Sequence, residues 1–525
     1  MTDDDMPRAG RREWIGLAVI ALPCLLYSMD LTVLYLAVPS LSADLEPSST
    51  ELLWITDIYG FFLAGFLITM GTLGDRIGRR RVLLVGAAAF GVGSVLAAFS
   101  TSVEMLIVTR ALLGVAAATL APSTLSLIRN MFLDPGQRTF AIGVWATSFS
   151  VGAALGPLLG GLMLEFFWWG SVFLLAVPVM LVLLAIGPRL LPEFRDPEAG
   201  RLDLPSTGLS VVAVLGVIYG LKEIAAGGLE GTPLLSILVG LGVGAVFVRR
   251  QRTLSDPLID LRLFRSRTFS ASLASNTLSL AIAFGIFLFI AQYLQLVLGF
   301  TPLEAGLWTV PSAGGFIAGS MLAPVLVRLV RPAFVVAGGL VLTAAGLALL
   351  AQVEAGSSVA LVVVASIVIA LGVAPPVTLG TDLVVGCVRP ERAGVASGIS
   401  ETGAELGGAL GIAVLGSIGV AVYRNQLADA VPAGVPPETS ETAQDTLGGA
   451  VDAVERLPDA LGTTLLDAAQ EAFTQGLQVA ALTGAAVALG TAALVAVLLR
   501  RMGAGVGQER DATAAGEEAA EVARP

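Results

Sequence analysis

The chain has 525 residues, of which 55% are hydrophobic and only 14% are charged, and its mean hydropathy is +0.84. This balance lies far outside that of soluble globular proteins, so most of the chain is expected to face lipid. The net charge of −11 argues against nucleic acid as a partner, although much of that charge lies in loops and in the acidic tail.

Fourteen apolar runs are long enough to cross a bilayer as helices, because a hydrocarbon core about 30 Å thick needs about 20 apolar residues. Such long continuous runs exclude the short alternating strands of an outer-membrane barrel. The predicted spans are residues 14–39, 51–73, 82–101, 104–128, 139–163, 166–188, 205–223, 232–248, 268–295, 303–327, 333–352, 357–386, 394–423 and 476–499.

The basic residues predict the orientation of these spans. With both termini in the cytoplasm, all but four of the 30 Lys and Arg residues fall in inner segments, as expected for loops held inside. The exceptions are Arg110, Lys222, Arg424 and Arg456. The long outer segment 424–475 contains an amphipathic run, residues 457–473, which predicts one interfacial helix in a solvated loop; a lid or gating role is the alternative.

The segment GTLGDRIGRRR, residues 71–81, follows the second span. Gly71 and Gly78 allow helices to approach closely, and Asp75 can accept hydrogen bonds from a helix N-terminus or an arginine. Arg76 and Arg79 would hold the loop at the cytoplasmic face. The plainer interpretation is an ordinary basic turn.

The fifth span contains GAALGPLLGG, residues 152–161. Gly152, Gly156 and Gly160 recur every four residues and favour close helix packing, while Pro157 frees a backbone carbonyl, so the helix can bend as the halves of the protein move. A purely structural packing motif is the alternative.

These segments resemble motifs of the major facilitator superfamily. Residues 71–81 resemble the GxxxDRxGRR loop between its second and third spans, and residues 152–161 resemble the antiporter motif of its drug:proton antiporters. MDLTVLYLAVP, residues 29–39, is similar to the family's LDxTVVNVALP, with Tyr35 in place of the usual asparagine. RALLG, residues 110–114, is similar to the RxxxG motif associated with proton coupling, with Leu113 where a glutamine is common.

Further matches at residues 292–299 and 400–408 extend the resemblance to the fourteen-span, QacA-like multidrug exporters. The resemblance implies an all-α polytopic membrane protein with the major facilitator fold, in which two extra helices separate two six-helix bundles. The implied organisation is a cytoplasmic N-terminus (1–13), an N-terminal bundle (14–188), a linker with the two extra helices (189–267), a C-terminal bundle (268–499) and a cytoplasmic tail (500–525). It also implies a bacterial inner membrane, both termini cytoplasmic, export driven by the proton gradient, and no enzyme activity.

Ionisable groups inside the membrane are costly, so each one is a functional candidate. Asp30, Arg110, Glu401 and Glu405 lie deep within predicted spans. Glu401 and Glu405 share one helical face about 6 Å apart, so they resist simultaneous ionisation and one of them should bind a proton readily. Because the chain has no histidine and a single lysine, proton coupling is expected to use carboxylates together with Arg110.

Three deep acids against one arginine favour a cationic substrate over an anionic one. We expect Asp30, Asp57 and Glu405 to attract the cation, and Tyr35 and Trp54 to contact it through their rings. Four acids lie nearer span ends: Asp57, Glu223, Glu304 and Asp382. The alternative to a functional role for them is interfacial anchoring or helix capping, which is favoured for Glu223 and Glu304.

The sequence therefore predicts a proton-coupled antiporter that exports lipophilic organic cations such as quaternary ammonium compounds, dyes and antiseptics. The alternative is a proton-coupled exporter of a neutral or zwitterionic natural product. A membrane sensor would need a soluble effector domain, and a primary pump would need a GxxxxGK[ST] phosphate loop, which the sequence lacks. The expected partners are the substrate, protons and the bilayer; we expect a monomer, with no cofactor and no metal.

Overall fold

The computed structural model describes residues 8–499, apart from residues 46, 48, 196–202, 228–230, 255–256, 390–391 and 455–456 and some side chains within helices. Its secondary structure, over these residues, is helical throughout. The first group of helices comprises α1 (Arg11–Leu45), α2 (Ser49–Ile77), α3 (Arg79–Ala98), α4 (Val103–Met131), α5 (Pro135–Phe166), α6 (Ser171–Leu174) and α7 (Ala176–Leu190).

A helical pair, α8 (Leu204–Gly227) and α9 (Gly231–Gln251), separates this group from the second. The second group comprises α10 (Arg267–Gln292), α11 (Pro302–Leu329), α12 (Pro332–Leu350), α13 (Val359–Gly386), α14 (Ala393–Ala430), α15 (Pro437–Asp445), α16 (Leu447–Val454) and α17 (Asp459–Leu499). We call α1–α7 the N-terminal bundle, and α10–α14 with α17 the C-terminal bundle.

Thirteen helical stretches in the described part of the chain are long and apolar enough to cross a membrane. The remaining predicted span, 139–163, coincides with α5. The prediction of an all-α polytopic membrane fold is confirmed, whereas the count of fourteen spans stays a prediction.

Each bundle has its own apolar core. Phe90, Leu113 and Phe132 belong to the core of the N-terminal bundle, and Phe289 and Leu347 to that of the C-terminal bundle. The outer helix faces remain apolar but exposed; Val85 and Leu329, for example, are 69% and 80% exposed. Helices that are apolar all round are expected where lipid takes the place of water.

The pair α8 and α9 lies against both bundles. A Cβ on Gly216 of α8 would stand 3.0 Å from the Cα of Gly240 on α9, so the two helices touch through their backbones. Ile218 of α8 packs with Phe61 of α2 and Ala409 of α14. The pair thus covers the seam where α2 and α14 meet.

The segment that connects α9 to α10 is anchored by the buried side chain of Gln251. The Gln251 carbonyl oxygen accepts the backbone N–H of Leu258 at 2.6 Å, and its amide donates to the Ser206 hydroxyl at 2.7 Å. Leu258 and Ile259 then pack in a cluster with Ile68 of α2 and Val384 of α13. This part of the connecting segment is therefore ordered by hydrogen bonds and apolar contacts.

The segment 424–475, predicted to lie outside the cell, differs from the predicted loop with one interfacial helix. The amphipathic run belongs to α17, which continues without a break from Asp459 into the last span, because no proline interrupts it and its apolar face, including Leu465 and Phe473, is buried. Forty-one residues make a helix about 60 Å long, which is longer than a bilayer core. The Tyr423 hydroxyl donates to the Ala443 carbonyl at 2.6 Å and ties α15 to α14.

Candidate functional site

The first buried cluster joins α1 to α4. The Arg110 guanidinium donates to the Asp30 carboxylate at 2.6 Å, and its Nε donates to the backbone carbonyl of Ile55 at 3.2 Å. Arg110 also lies over the ring of Tyr59, 4.7 Å from the ring centroid. Arg110 is 1% exposed and Asp30 is 8% exposed. Their charges are therefore balanced by each other and by protein groups rather than by water.

The second cluster crosses from one bundle to the other. The Tyr27 hydroxyl, on α1, donates to the Glu405 carboxylate, on α14, at 2.7 Å. Glu401 lies one turn before Glu405 on α14 and interacts with it electrostatically. Tyr27 is one turn from Asp30 on α1, so the structure brings all the deep ionisable residues of the prediction together around the junction of the bundles.

Tyr59 connects the two clusters. Its side chain is fully buried on α2, where it interacts electrostatically with Asp30, Arg110 and Glu405. Its ring faces Arg110, but its hydroxyl has no hydrogen-bond partner among the described residues. Several other buried hydroxyls, among them those of Ser123 and Ser275, likewise have no partner among the described residues.

Asp75 joins the bundles at the end of the molecule that carries the Arg76–Arg81 turn, which we call the arginine-rich end. It accepts the backbone N–H groups of Gly394 and Val395 at 3.3 and 3.0 Å, at the first turn of α14. It also forms an ion pair with Arg79. An acid at a helix N-terminus is stabilised by the unpaired N–H groups there.

Glycine backbones line this same contact. A Cβ on Gly71 would collide with the backbone carbonyl of Gly394, and one on Gly398 would meet the carbonyl of Leu67 at 2.8 Å. Gly78 has φ of 117°, a conformation that favours glycine, and it begins α3. Arg76 is half-buried beside a cavity of about 300 Å³ that Asp75, Asp260, Arg389 and Arg392 also line.

A second contact at the arginine-rich end was not predicted. Asp382 of α13 accepts from the Arg138 guanidinium and from the Thr139 hydroxyl of α5, each at 2.7 Å. The sequence leaves Asp382 open as a functional candidate or as an interfacial anchor or cap; in the structure it is 7% exposed and bridges the two bundles. Glu304, in contrast, does cap a helix: it forms a capping box with Thr301 at the start of α11.

The glycines of α5 serve a contact within the N-terminal bundle. Gly152, Gly156 and Gly160 are buried, and a Cβ on Gly152 would collide with the backbone carbonyl of Leu25 on α1. The side chain of Pro157 lies outside the described ones. The predicted packing role of this segment is therefore visible at Gly152, while its role in gating stays a prediction.

Trp54, the α2 ring that is predicted to contact the substrate, lies in a different environment from Tyr59 on the same helix. Trp54 is 40% exposed and packs edge-on against Phe61, whereas Tyr59 is buried against Arg110. The side chains of Asp57 and Tyr35 lie outside the described ones. In the described part of the chain, no three Cys, Asp or Glu residues are grouped so that they could hold a metal ion.

Comparison with known proteins agrees with this architecture. Residues 20–412 match the family model described as Major Facilitator Superfamily. The chain is 45% identical over 495 residues to the multidrug efflux pump LfrA of Mycolicibacterium smegmatis, covering 94% of this chain and 98% of the relative. It is 36% identical to the methyl viologen resistance protein SmvA of Salmonella typhimurium, covering 88% of this chain and 93% of that one.

Among solved structures, the human organic anion transporter MFSD10 (TETRAN) superposes with a TM-score of 0.59. The alignment covers 92% of this chain and 99% of the human chain at 16% sequence identity. A likeness at this identity supports the shared fold alone.

Proposed function

We propose that this chain, which belongs to the Major Facilitator Superfamily, exports lipophilic organic cations from the bacterial cytoplasm in exchange for protons. The chain is a multi-pass membrane transporter similar to drug efflux pumps, and it is not an enzyme. The substrate class, the coupling ion and the orientation of the termini are what we propose.

The observation that carries this proposal is the placement of two acids, Glu401 and Glu405, at the junction of the bundles. Arg110 already neutralises Asp30 through a contact of 2.6 Å, whereas Glu405 is met by a neutral phenol, that of Tyr27. Because Asp30 is already paired with Arg110, we propose that Glu401 and Glu405 supply most of the attraction for an incoming cation. Asp30 can take part only when Arg110 moves away from it.

Coulomb attraction determines how strongly the ionised glutamates would bind a cation. At an effective dielectric constant of about 20, unit charges about 5 Å apart attract by about 3 kcal/mol, which is roughly a hundredfold in affinity. Protonation of one glutamate removes that attraction, so a proton and a lipophilic cation compete for the same site. The relative named for resistance to methyl viologen, an organic dication, supports a cationic substrate.

Export follows from this competition if protonation occurs while the site faces outside. The proton displaces the cation to the exterior, and release of that proton to the cytoplasm restores the charge for the next cation. We place the arginine-rich end in the cytoplasm, where Asp75 and Asp382 would hold the bundles together and act as the inner gate. Gly71, Gly78 and Arg79 would shape that gate, and Arg76 would line its edge.

Proteoliposomes test the proposal. With purified protein and an imposed pH gradient, ethidium, a fluorescent monovalent cation, should move against its gradient, and dissipating the pH gradient should stop it. Glu405→Gln should abolish uphill movement, because an amide cannot exchange a proton, yet it can still accept from Tyr27. Glu441→Gln, on the exposed face of α15, is the matched control and should transport normally.

Two results would contradict the proposal. Uphill ethidium transport by Glu405→Gln at the unaltered rate would assign the proton to another group, with Glu401 next in line. Neutral compounds that compete with ethidium equally well at low and high pH would favour the alternative substrate class, a neutral or zwitterionic natural product.

A further inference from the structure

Three aromatic side chains of the N-terminal bundle form a continuous row that begins at an acid of the C-terminal bundle. The ring of Tyr27, on α1, packs edge-on against that of Phe149, on α5, with the two centroids 5.4 Å apart. Phe149 packs edge-on in turn against Trp145, one turn earlier on α5, at 4.7 Å. The Tyr27 hydroxyl donates to Glu405 at 2.7 Å. We call Tyr27, Phe149 and Trp145 the aromatic row.

The two ends of the aromatic row are fixed, and its middle ring is partly accessible. Trp145 is buried, and its indole N–H donates to the Thr124 hydroxyl on α4 at 3.0 Å. Tyr27 is also buried and is fixed by its bond to Glu405. Phe149 is only half-buried. Because its ring contacts Tyr27, whose hydroxyl is bonded to the other bundle, Phe149 lies beside the junction of the bundles.

This arrangement places a ring surface next to a negative charge. A planar aromatic cation carries its charge within a ring system, so it can face a carboxylate and pack against an aromatic side chain at once. An aliphatic quaternary ammonium ion of the same charge offers the carboxylate an equal attraction. Its alkyl chains, however, keep the charge away from a neighbouring ring, and they pack as well on leucine as on phenylalanine.

We infer that Phe149 is a specificity-determining residue of the transport site, where it binds the ring system of planar aromatic cations. Glu405 would attract the charge of the substrate, whereas Phe149 would favour a planar aromatic cation over an aliphatic one. Trp145 is a positioning residue that holds the Phe149 ring in place. The inference rests on the proposed function, because it takes Glu405 as part of the site that attracts cations.

Substitutions at Phe149 separate the ring from its bulk. Phe149→Leu removes the ring but keeps an apolar side chain, and Phe149→Met is a second ring-free variant of similar size. Phe149→Tyr keeps the ring, and its added hydroxyl is tolerable at a half-buried position. The matched control is Phe300→Leu, because Phe300 is also half-buried and also packs against a tryptophan, Trp308, at 6.3 Å, in the turn between α10 and α11.

The measurement is the affinity of purified protein for two monovalent cations. Ethidium, which is planar and aromatic, is followed by its fluorescence, and tetrapropylammonium, which is aliphatic, is followed by competition against ethidium. Phe149→Leu and Phe149→Met should lower the ethidium affinity about fivefold while changing the tetrapropylammonium affinity less than about twofold. Phe149→Tyr and Phe300→Leu should leave both affinities within about twofold of the unaltered protein. Retained tetrapropylammonium binding also shows that a variant is folded.

The ratio of the two affinities decides the inference. An unchanged ratio in both ring-free variants would overturn it, whether they bind both cations normally or both more weakly. A selective loss of ethidium in Phe149→Tyr as large as in Phe149→Leu would overturn it too, because the ring would not be the feature that matters. So would the same selective loss in Phe300→Leu. The proposed function has a separate readout, the pH dependence of ethidium affinity in the unaltered protein: affinity that does not weaken in acid would contradict competition with protons, while the affinity ratio would still decide the role of Phe149.

Discussion

Neutralising Asp30 should destabilise the protein far more than its small chemical change suggests. Asp30→Asn leaves the Arg110 guanidinium, which is 1% exposed, without its counter-charge. Removing one partner of a buried ion pair typically costs about 3–5 kcal/mol. Arg110 keeps its bond to the Ile55 carbonyl and its contact with the Tyr59 ring, so we expect the lower end, about 3 kcal/mol.

The double variant separates charge from packing. Replacing Arg110 with Gln together with Asp30→Asn removes both charges, so the unpaired buried charge disappears and at least half of the lost stability should return. Asp203→Asn is a matched control, because Asp203 pairs with Arg250 at 2.9 Å where the two side chains are 19% and 39% exposed. That control should change stability much less, since water already screens the pair.

The assay is thermal unfolding of the four proteins in one detergent, compared by the shift in midpoint. A cost of about 3 kcal/mol corresponds to a fall of several degrees for Asp30→Asn, with a clear recovery in the double variant. Two results would refute the reasoning: an Asp30→Asn variant as stable as the Asp203→Asn control, or a double variant no more stable than Asp30→Asn alone.

Four further predictions concern the gate, the orientation and the exposed ion pair. Asp75→Asn should slow ethidium transport several-fold while leaving ethidium affinity nearly unchanged, because Asp75 binds the start of α14 at the arginine-rich end; normal turnover with lost binding would contradict this. Gly71→Ala should impair transport in the same way, because its methyl group would meet the Gly394 carbonyl, and a fully active variant would show that this contact is not formed during transport. Ser440→Cys, in a cysteine-free background, should react with an impermeant thiol reagent in intact cells, and labelling only after permeabilisation would overturn the orientation. Arg250 lowers the pKa of Asp203 below its usual range, so the stability from this pair should be present above the ordinary pKa of aspartate and lost as pH falls through the lowered value; unfolding midpoints of Asp203→Asn and the unaltered protein should converge in acid.

The deep charges were predictable from sequence, but their partners were not. Hydropathy locates Asp30, Arg110, Glu401 and Glu405 inside spans, because charges stand out in apolar runs. Pairing depends on how helices rotate and cross, and the partners lie far apart in the chain: 80 residues separate Asp30 from Arg110, and 378 separate Tyr27 from Glu405. Short patterns do not contain that information.

Asp382 and the segment 424–475 are two further features that local sequence patterns do not predict. Asp382 lies four residues from the end of α13, where an anchor to water is the ordinary expectation, and only its contact with α5 from the other bundle reveals a bridge. The segment 424–475 is polar and contains several prolines, which suggest a loop. The short helices α15 and α16 nevertheless form, because α14 and α17 extend far enough to pack against them. In both cases tertiary contacts outweigh the local signal.

The contact of α2 with α14 at the arginine-rich end has a consequence for the energetics of opening. Gly71, Gly394 and Gly398 place backbone against backbone, so few side chains interlock there. Separating such surfaces releases few ordered side chains and exposes little new apolar area, so the two arrangements of the bundles can lie close in free energy. The glycine seam itself therefore adds little to the free energy of separating the bundles at this end. Most of that cost falls on the hydrogen bonds that Asp75 and Asp382 accept from the opposite bundle.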